Sequence, residues 1–315
     1  MYYCNRLSFD MKKIVLPILL IALMMNVSCK KPAGYGDLAI QVNHSANGKA
    51  LITDSLCYTS EAGNSFLVTE VQWFLSKIIL TSEQGDEYTL GHREVSTLIQ
   101  TPQEKIFYID TNLPESQTLE IAPPPCGKYV KIRFTFGLDE NDNQTGLFTN
   151  PPESNMFWPE PLGGGYHYMK LNGRYLDENE QLAPMNIHLG IGQNENRTVF
   201  YQNYFTVELP IDLELIENEE QVIQLDMNID NWFRSPHTYD IQYFGSAIMQ
   251  NQEAQQILKE NGQDVFSVSV GKSTLERITG TMKSIFSKAA PKPHFYTKKN
   301  MKELFAEFGN RKNKQ

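Results

Sequence analysis

From Asp37 onward the hydrophobic and polar positions alternate in short runs instead of recurring at helical spacing. Leu38-Ala39-Ile40-Gln41-Val42-Asn43-His44 places Leu38, Ile40, Val42 and His44 on one face, which predicts a half-buried strand. Phe66 to Leu80, FLVTEVQWFLSKIIL, is β-branched and aromatic, and the SEQGDE that follows reads as a hairpin turn. The style continues through Ile106–Asp110, Thr118–Ala122, Tyr129–Leu138, Tyr166–Leu176, Met185–Ile191, Thr198–Leu209 and Val222–Asn228. NLPES, APPPCG and LDENDNQTG, rich in Pro, Gly and Asx residues, are the connections. Before residue 271 one segment reads as a helix: Asn251 to Phe266 sets Ala254, Ile257 and Leu258 on one stripe, with Gly262 as a stop. No βαβ alternation and no fixed repeat occurs. The pattern predicts an all-β, antiparallel, sandwich-like single domain over residues 37–270 with one short C-terminal helix.

The two ends are of different character. Lys12-Lys13 precedes an uncharged apolar run from Ile14 to Met25, too short for a stop-transfer helix. Val27-Ser28-Cys29 looks like a bacterial lipobox, so residues 1–28 are expected to be a signal peptide, with Met11 as its start. Cys29 would then carry the lipid, and residues 29–36 would be a linker to the domain. Beyond Val270 the composition turns basic: 11 Lys/Arg against 3 Asp/Glu from Gly271 onward, which leaves 17 against 34 before it. A body this acidic does not suit nucleic acid. The tail, residues 271–315, reads as a basic, partly helical or disordered extension, although LERITGTMKSIFSK is amphipathic enough to suggest attachment to anionic lipid. Export would place Cys57 and Cys126 in an oxidising compartment; a disulfide between them and two buried free thiols stand level as readings.

Chemistry has few carriers. No CxxC, HExxH, GxSxG, Walker or dinucleotide motif occurs, and nothing suggests an enzyme. Asp139-Glu140-Asn141-Asp142-Asn143 superficially resembles a calcium loop but has Gln144 and Asn150 where Gly and Glu are needed, so it reads as an Asx-rich turn. Six histidines can be weighed singly. His44 lies on the apolar face of its strand, His188 on the face opposite Met185, Ile187 and Leu189, and His167 shares parity with Met169 and Leu171. His92, His237 and His294 fall in turn or tail contexts. Any metal site must be assembled from distant strands, and imidazoles with Met thioethers such as Met249 would suit copper better than zinc or calcium. The stretch NMFWPEPLGGGYHYMKLNGRY, residues 155–175, places three glycines between Trp158 and His167. It is either an aromatic cluster capping the core or a loop presenting a site.

Several stretches in order resemble the MbnP family. They are His44 at the close of the first strand, VQWFLSKIIL at 71–80, KYVKIRFTFGLDENDN at 128–143, NMFW at 155–158, GGYHYMKLNGRY at 164–175, NIHLG at 186–190 and IMQNQEAQQILKENGQDVF at 248–266. The resemblance implies an exported β domain that binds copper, in some systems encoded beside a dihaem peroxidase-like partner of the MbnH/MauG type that oxidises a tryptophan to kynurenine. By motif position that tryptophan is Trp158. His44 and His188 would be the first metal ligands and are expected to converge, with His167 and Met249 as further candidates. Pro159-Glu160-Pro161 and the longer glycine run depart from the family's short aromatic link. The expectation is therefore a non-enzymatic, lipid-anchored, periplasm-facing copper protein, with Trp158 reachable on its loop. The alternative is a carbohydrate- or protein-binding outer-membrane lipoprotein without metal, in which Trp158 and the tyrosines form a stacking platform.

Overall fold

The computed structural model describes residues 34–93 and 102–272, in which the alternating run at residues 38–44 becomes the first strand, β1 (Asp37–Ala46). Leu38, Ile40, Val42 and His44 are all buried and their neighbours are half-exposed, as the alternation requires. The expected signal peptide (residues 1–28), Cys29, His294 and nearly all of the tail lie outside the described residues. The strands that follow are β2 (Lys49–Ala50), β3 (Tyr58–Thr59), β4 (Ser65–Ser82), β5 (Glu87–Thr89), β6 (Ile106–Asp110), β7 (Thr118–Glu120), β8 (Gly127–Phe136), β9 (Met169–Leu176), β10 (Leu182–Leu189), β11 (Gly192–Gln193), β12 (Phe200–Tyr201), β13 (Phe205–Leu215) and β14 (Glu220–Asn228). Two helices, α1 (Ile241–Phe244) and α2 (Gln252–Asn261), precede β15 (Phe266–Lys272).

These strands make two principal sheets. The smaller runs β15-β14-β1-β2, with β7 on β1; the larger is built on β4 and carries β9, β10, β8 and β13, with β3, β5 and β6 also on β4. β4 is central because it is apolar on both faces. It pairs with β9 over residues 66–73 and with β8 over residues 75–82. A bulge interrupts the second pairing between Ser76 and Ile79. Lys77 sits there at φ +51, and its ammonium reaches Asp139 and Asp142. The acidic turn is thus an Asx turn, Asp139 Oδ1 accepting from the Asn141 and Asp142 amides, with a lysine for its counter-charge.

Rings from both sheets meet in the interior. Phe266 of β15 packs against Trp73, Phe134 and Phe136, and Phe66 of β4 against Phe233. Such ring pairs add to the burial of apolar area that drives the sheets together.

Three details differ from the sequence expectation. The sandwich is antiparallel in every pairing of the large sheet, but β1 and β14 run parallel in register Asp37↔Glu220 to Ser45↔Asn228. A parallel pair needs a long crossover, and here the whole large sheet is that connection. Within the segment Asn251 to Phe266 the helix ends at Asn261, at the expected Gly262 stop, and the residues after it are not helical: Asn251 caps the helix, accepting from the Ala254 amide, and Gly262–Asp264 form a 3-10 turn. Phe266 belongs to β15 because a large ring gains more from the core than from extending an exposed helix. Cys57 is exposed and Cys126 partly so, and both are free; neither the disulfide nor the pair of buried thiols holds.

Candidate metal centre

β9 and β10 form a hairpin in which His188 is paired with Lys170 and Leu189 with Met169. This register carries the chain just before β9 past the end of β10, where His167 meets His188. Their ring centroids are 5.0 Å apart and nearly perpendicular. The Trp158 ring lies 4.7 Å from that of His167 on another side.

Each imidazole has one nitrogen fixed by the protein. His167 Nδ1 stands 2.9 Å from the Met156 carbonyl; a carbonyl only accepts, so the proton is on Nδ1 and Nε2 keeps its lone pair. That Nε2 is buried and has no partner. His188 Nε2 donates to Asn172 Oδ1 at 2.9 Å, leaving Nδ1 as the lone pair. The orientation of Asn172 is itself set, since its Nδ2 donates to Glu70 Oε2 at 3.1 Å. Both rings are held neutral. Burial, then the neighbouring His188, pushes His167 down to about 3, and burial with Lys170 pushes His188 down to about 4. Two neutral imidazoles with their other nitrogens tied back are arranged as metal ligands are.

Met249 joins this end of the molecule. It lines, with His188, Pro159, Pro161 and Leu162, a cavity of about 560 Å³. The backbone there is pinned by Gln255 of α2, which is fully buried. Its Nε2 donates to the His188 carbonyl at 2.7 Å and its Oε1 accepts from the Gly190 amide at 3.1 Å. Asn172 and Gln255 were not legible as site residues, because an amide in a polar run looks like solvated surface. The turn DENEQ between the two strands was the available signal, since it fixes the hairpin register.

The glycine run has a structural cause. Gly163, Gly164 and Gly165 all take positive φ, +117, +69 and +78, where other residues are strained. They fold the 159–165 loop back so that the Trp158 amide donates to the Gly165 carbonyl and its indole N–H to the Leu162 carbonyl, at 2.8 and 3.0 Å. The consequence overturns one expectation: Trp158 is 0% exposed. The loop covers the indole, and what faces outward beside it is Phe157, 44% exposed. With Tyr166 and Tyr168 buried as well, these rings offer no face on which a sugar could stack.

His44 and His188, expected to converge, do not. His44 belongs to the small sheet and accepts the Trp73 indole N–H on Nε2 at 3.1 Å. It lines a separate cleft that shares no residue with the cavity beside His188. The remaining described histidines are exposed: His92 at 2.8 Å from the Ile106 carbonyl, and His237 against Glu260.

Comparison with known proteins agrees with this architecture. A profile of the MbnP family matches residues 35–254. Among solved structures, the fold is similar to that of MbnP from Methylosinus trichosporium, with a TM-score of 0.50 and 13% identity over 76% of this chain and 100% of that one. A comparison with curated protein sequences gave no match.

Proposed function

The chain belongs to the MbnP family, and from that premise we propose that it is a copper-binding protein, not an enzyme, whose ion is held by His167 Nε2 and His188 Nδ1. The observation that carries this reading is the pair of perpendicular imidazoles 5.0 Å apart, each with its second nitrogen committed to a protein acceptor. Metal–imidazole bonds of about 2 Å place two ligand rings at such a separation. Among the described residues no group of three or more His, Cys, Asp or Glu is placed to hold a metal ion, whereas zinc draws on three or four such donors. Two imidazoles, with Met249 lining the cavity beside His188, fit copper, and its reduced form in particular. X-ray absorption of the copper-loaded protein is the test: two imidazole nitrogens at the copper support the assignment, and a spectrum with oxygen donors alone sinks it.

Two finer proposals accompany this. Trp158, beside His167, is the residue that a dihaem partner of the MbnH/MauG type would oxidise to kynurenine; with the indole covered, such a partner would withdraw the electrons at a distance, while water supplies the oxygen and the indole C2 leaves as formate. Peptide mass mapping of protein from cells expressing both would settle it, an unchanged Trp158 being the contrary result. The chain is also proposed to be lipid-anchored through Cys29 in the bacterial envelope, facing the periplasm. Cys29→Ser should then appear in the soluble fraction, and unchanged membrane association would point to the basic tail instead.

A further inference from the structure

The cleft that holds His44 has a chemistry of its own. It measures about 970 Å³ and lies where β1 and β2 meet the end of β14 and the start of β15. Its wall includes the carboxylates of Asp226 and Asp264, the amides of Gln117 and Asn228, the Phe266 ring and one cation, Lys49.

His44 itself is 6% exposed. An indole nitrogen can only donate, so the bond from Trp73 uses the Nε2 lone pair and fixes the proton on Nδ1. This Nδ1–H is buried and has no acceptor. Gln117 in the same cleft approaches this Nδ1–H and so raises the imidazole's basicity, without forming a hydrogen bond of normal geometry. Buried polar atoms without a partner are uncommon in folded proteins, and one in the wall of an open cleft is placed to meet a ligand.

We propose that this cleft binds a neutral polyhydroxylated ligand, a short oligosaccharide, with His44 Nδ1–H donating to one hydroxyl oxygen and Asp226 accepting from another. The alternatives fail on charge and valence. A metal ion would face a protonated nitrogen, because the only lone pair of His44 is already used. An anion would meet Asp226 and Asp264, with Asp110 close enough to act on His44 electrostatically. An apolar ligand would strand the amides and carboxylates without partners. A hydroxyl both donates and accepts, so adjacent hydroxyls satisfy the imidazole and a carboxylate together. The volume falls within the range of small-molecule sites. This site is separate from the proposed copper centre, and the inference does not depend on that centre.

The test uses nitrogen-edited NMR of the histidine rings, with maltotriose, cellotriose and chitotriose each added to about 10 mM. At least one should shift the His44 Nδ1–H resonance saturably and leave the His167 and His188 rings unmoved. His44→Gln keeps an acceptor for Trp73 but moves the donor, and should weaken that binding at least tenfold. Asp226→Ala removes the opposing acceptor without touching Trp73 and should do the same. No shift with any of the three saccharides overturns the proposal. So does binding that both variants retain, or a His44 shift produced equally by calcium.

Discussion

Acid should unfold this protein through its buried histidines, and the size of the effect follows from their surroundings. His44, His167 and His188 would each titrate near 6.5 in an unfolded chain. In the fold, burial pushes them down to about 4, 3 and 4 respectively. Below pH 6.5 the unfolded state therefore takes up protons that the folded state refuses. The stability is fully present above pH 6.5 and is lost as pH falls from there toward 3 to 4. Each histidine supplies at most about 1.4 kcal/mol per pH unit, which amounts to about 2 kcal/mol by pH 5. The three together reach about 6 kcal/mol, comparable with the whole stability of a typical domain, about 5–15 kcal/mol. The carboxylate of Asp139, held low by Lys77, has its effect below this window. The assay is urea unfolding of copper-free protein at about pH 7 and about pH 5, followed by tryptophan fluorescence. The midpoint should fall steeply with the slope unchanged, and His44→Gln should remove about a third of the difference. A loss of less than about 1 kcal/mol between the two conditions would refute the claim that these rings are buried and neutral.

Two substitutions probe the centre's supports. Asn172→Leu removes the acceptor for His188 Nε2–H and should lower copper affinity about 10- to 100-fold. The nitrogen shifts of His188 should report a mixed tautomer; a single unchanged tautomer would mean that Asn172 does not set it. Gly190→Ala would place a Cβ 2.5 Å from the Trp158 ring. Overpacking of that kind costs about 1–3 kcal/mol, measurable as a lower urea midpoint, and an unchanged midpoint would contradict the close approach.

Much of the fold was legible because the residues themselves carry a period. Leu38, Ile40, Val42 and His44 alternate without exception, and the burial of β1 follows them. What escaped was non-local. The parallel pairing of β1 with β14 joins segments 183 positions apart in the register Asp37↔Glu220, and no local pattern encodes a partner at that distance. Gly262 was readable as the stop of the last helix, but nothing local showed that Phe266 beyond it would open a strand of the small sheet. At the site, the outward parity of His188 was readable, but its partner was not. That partner, His167, depends on hairpin register, whereas His44 proved to be spoken for by Trp73, a bond that no sequence pattern signals. The triple glycine pointed correctly to an unusual backbone, yet that backbone buries Trp158 when exposure was the natural reading.

The central claim is that copper sits between His167 and His188. A competition titration against a copper(I) chelator should give one tight site in the wild-type protein, strongly weakened in His167→Ala and in His188→Ala. His44→Gln should bind as the wild type does. Equal affinity in all four proteins would contradict this centre, and loss in His44→Gln alone would move the metal to the other sheet.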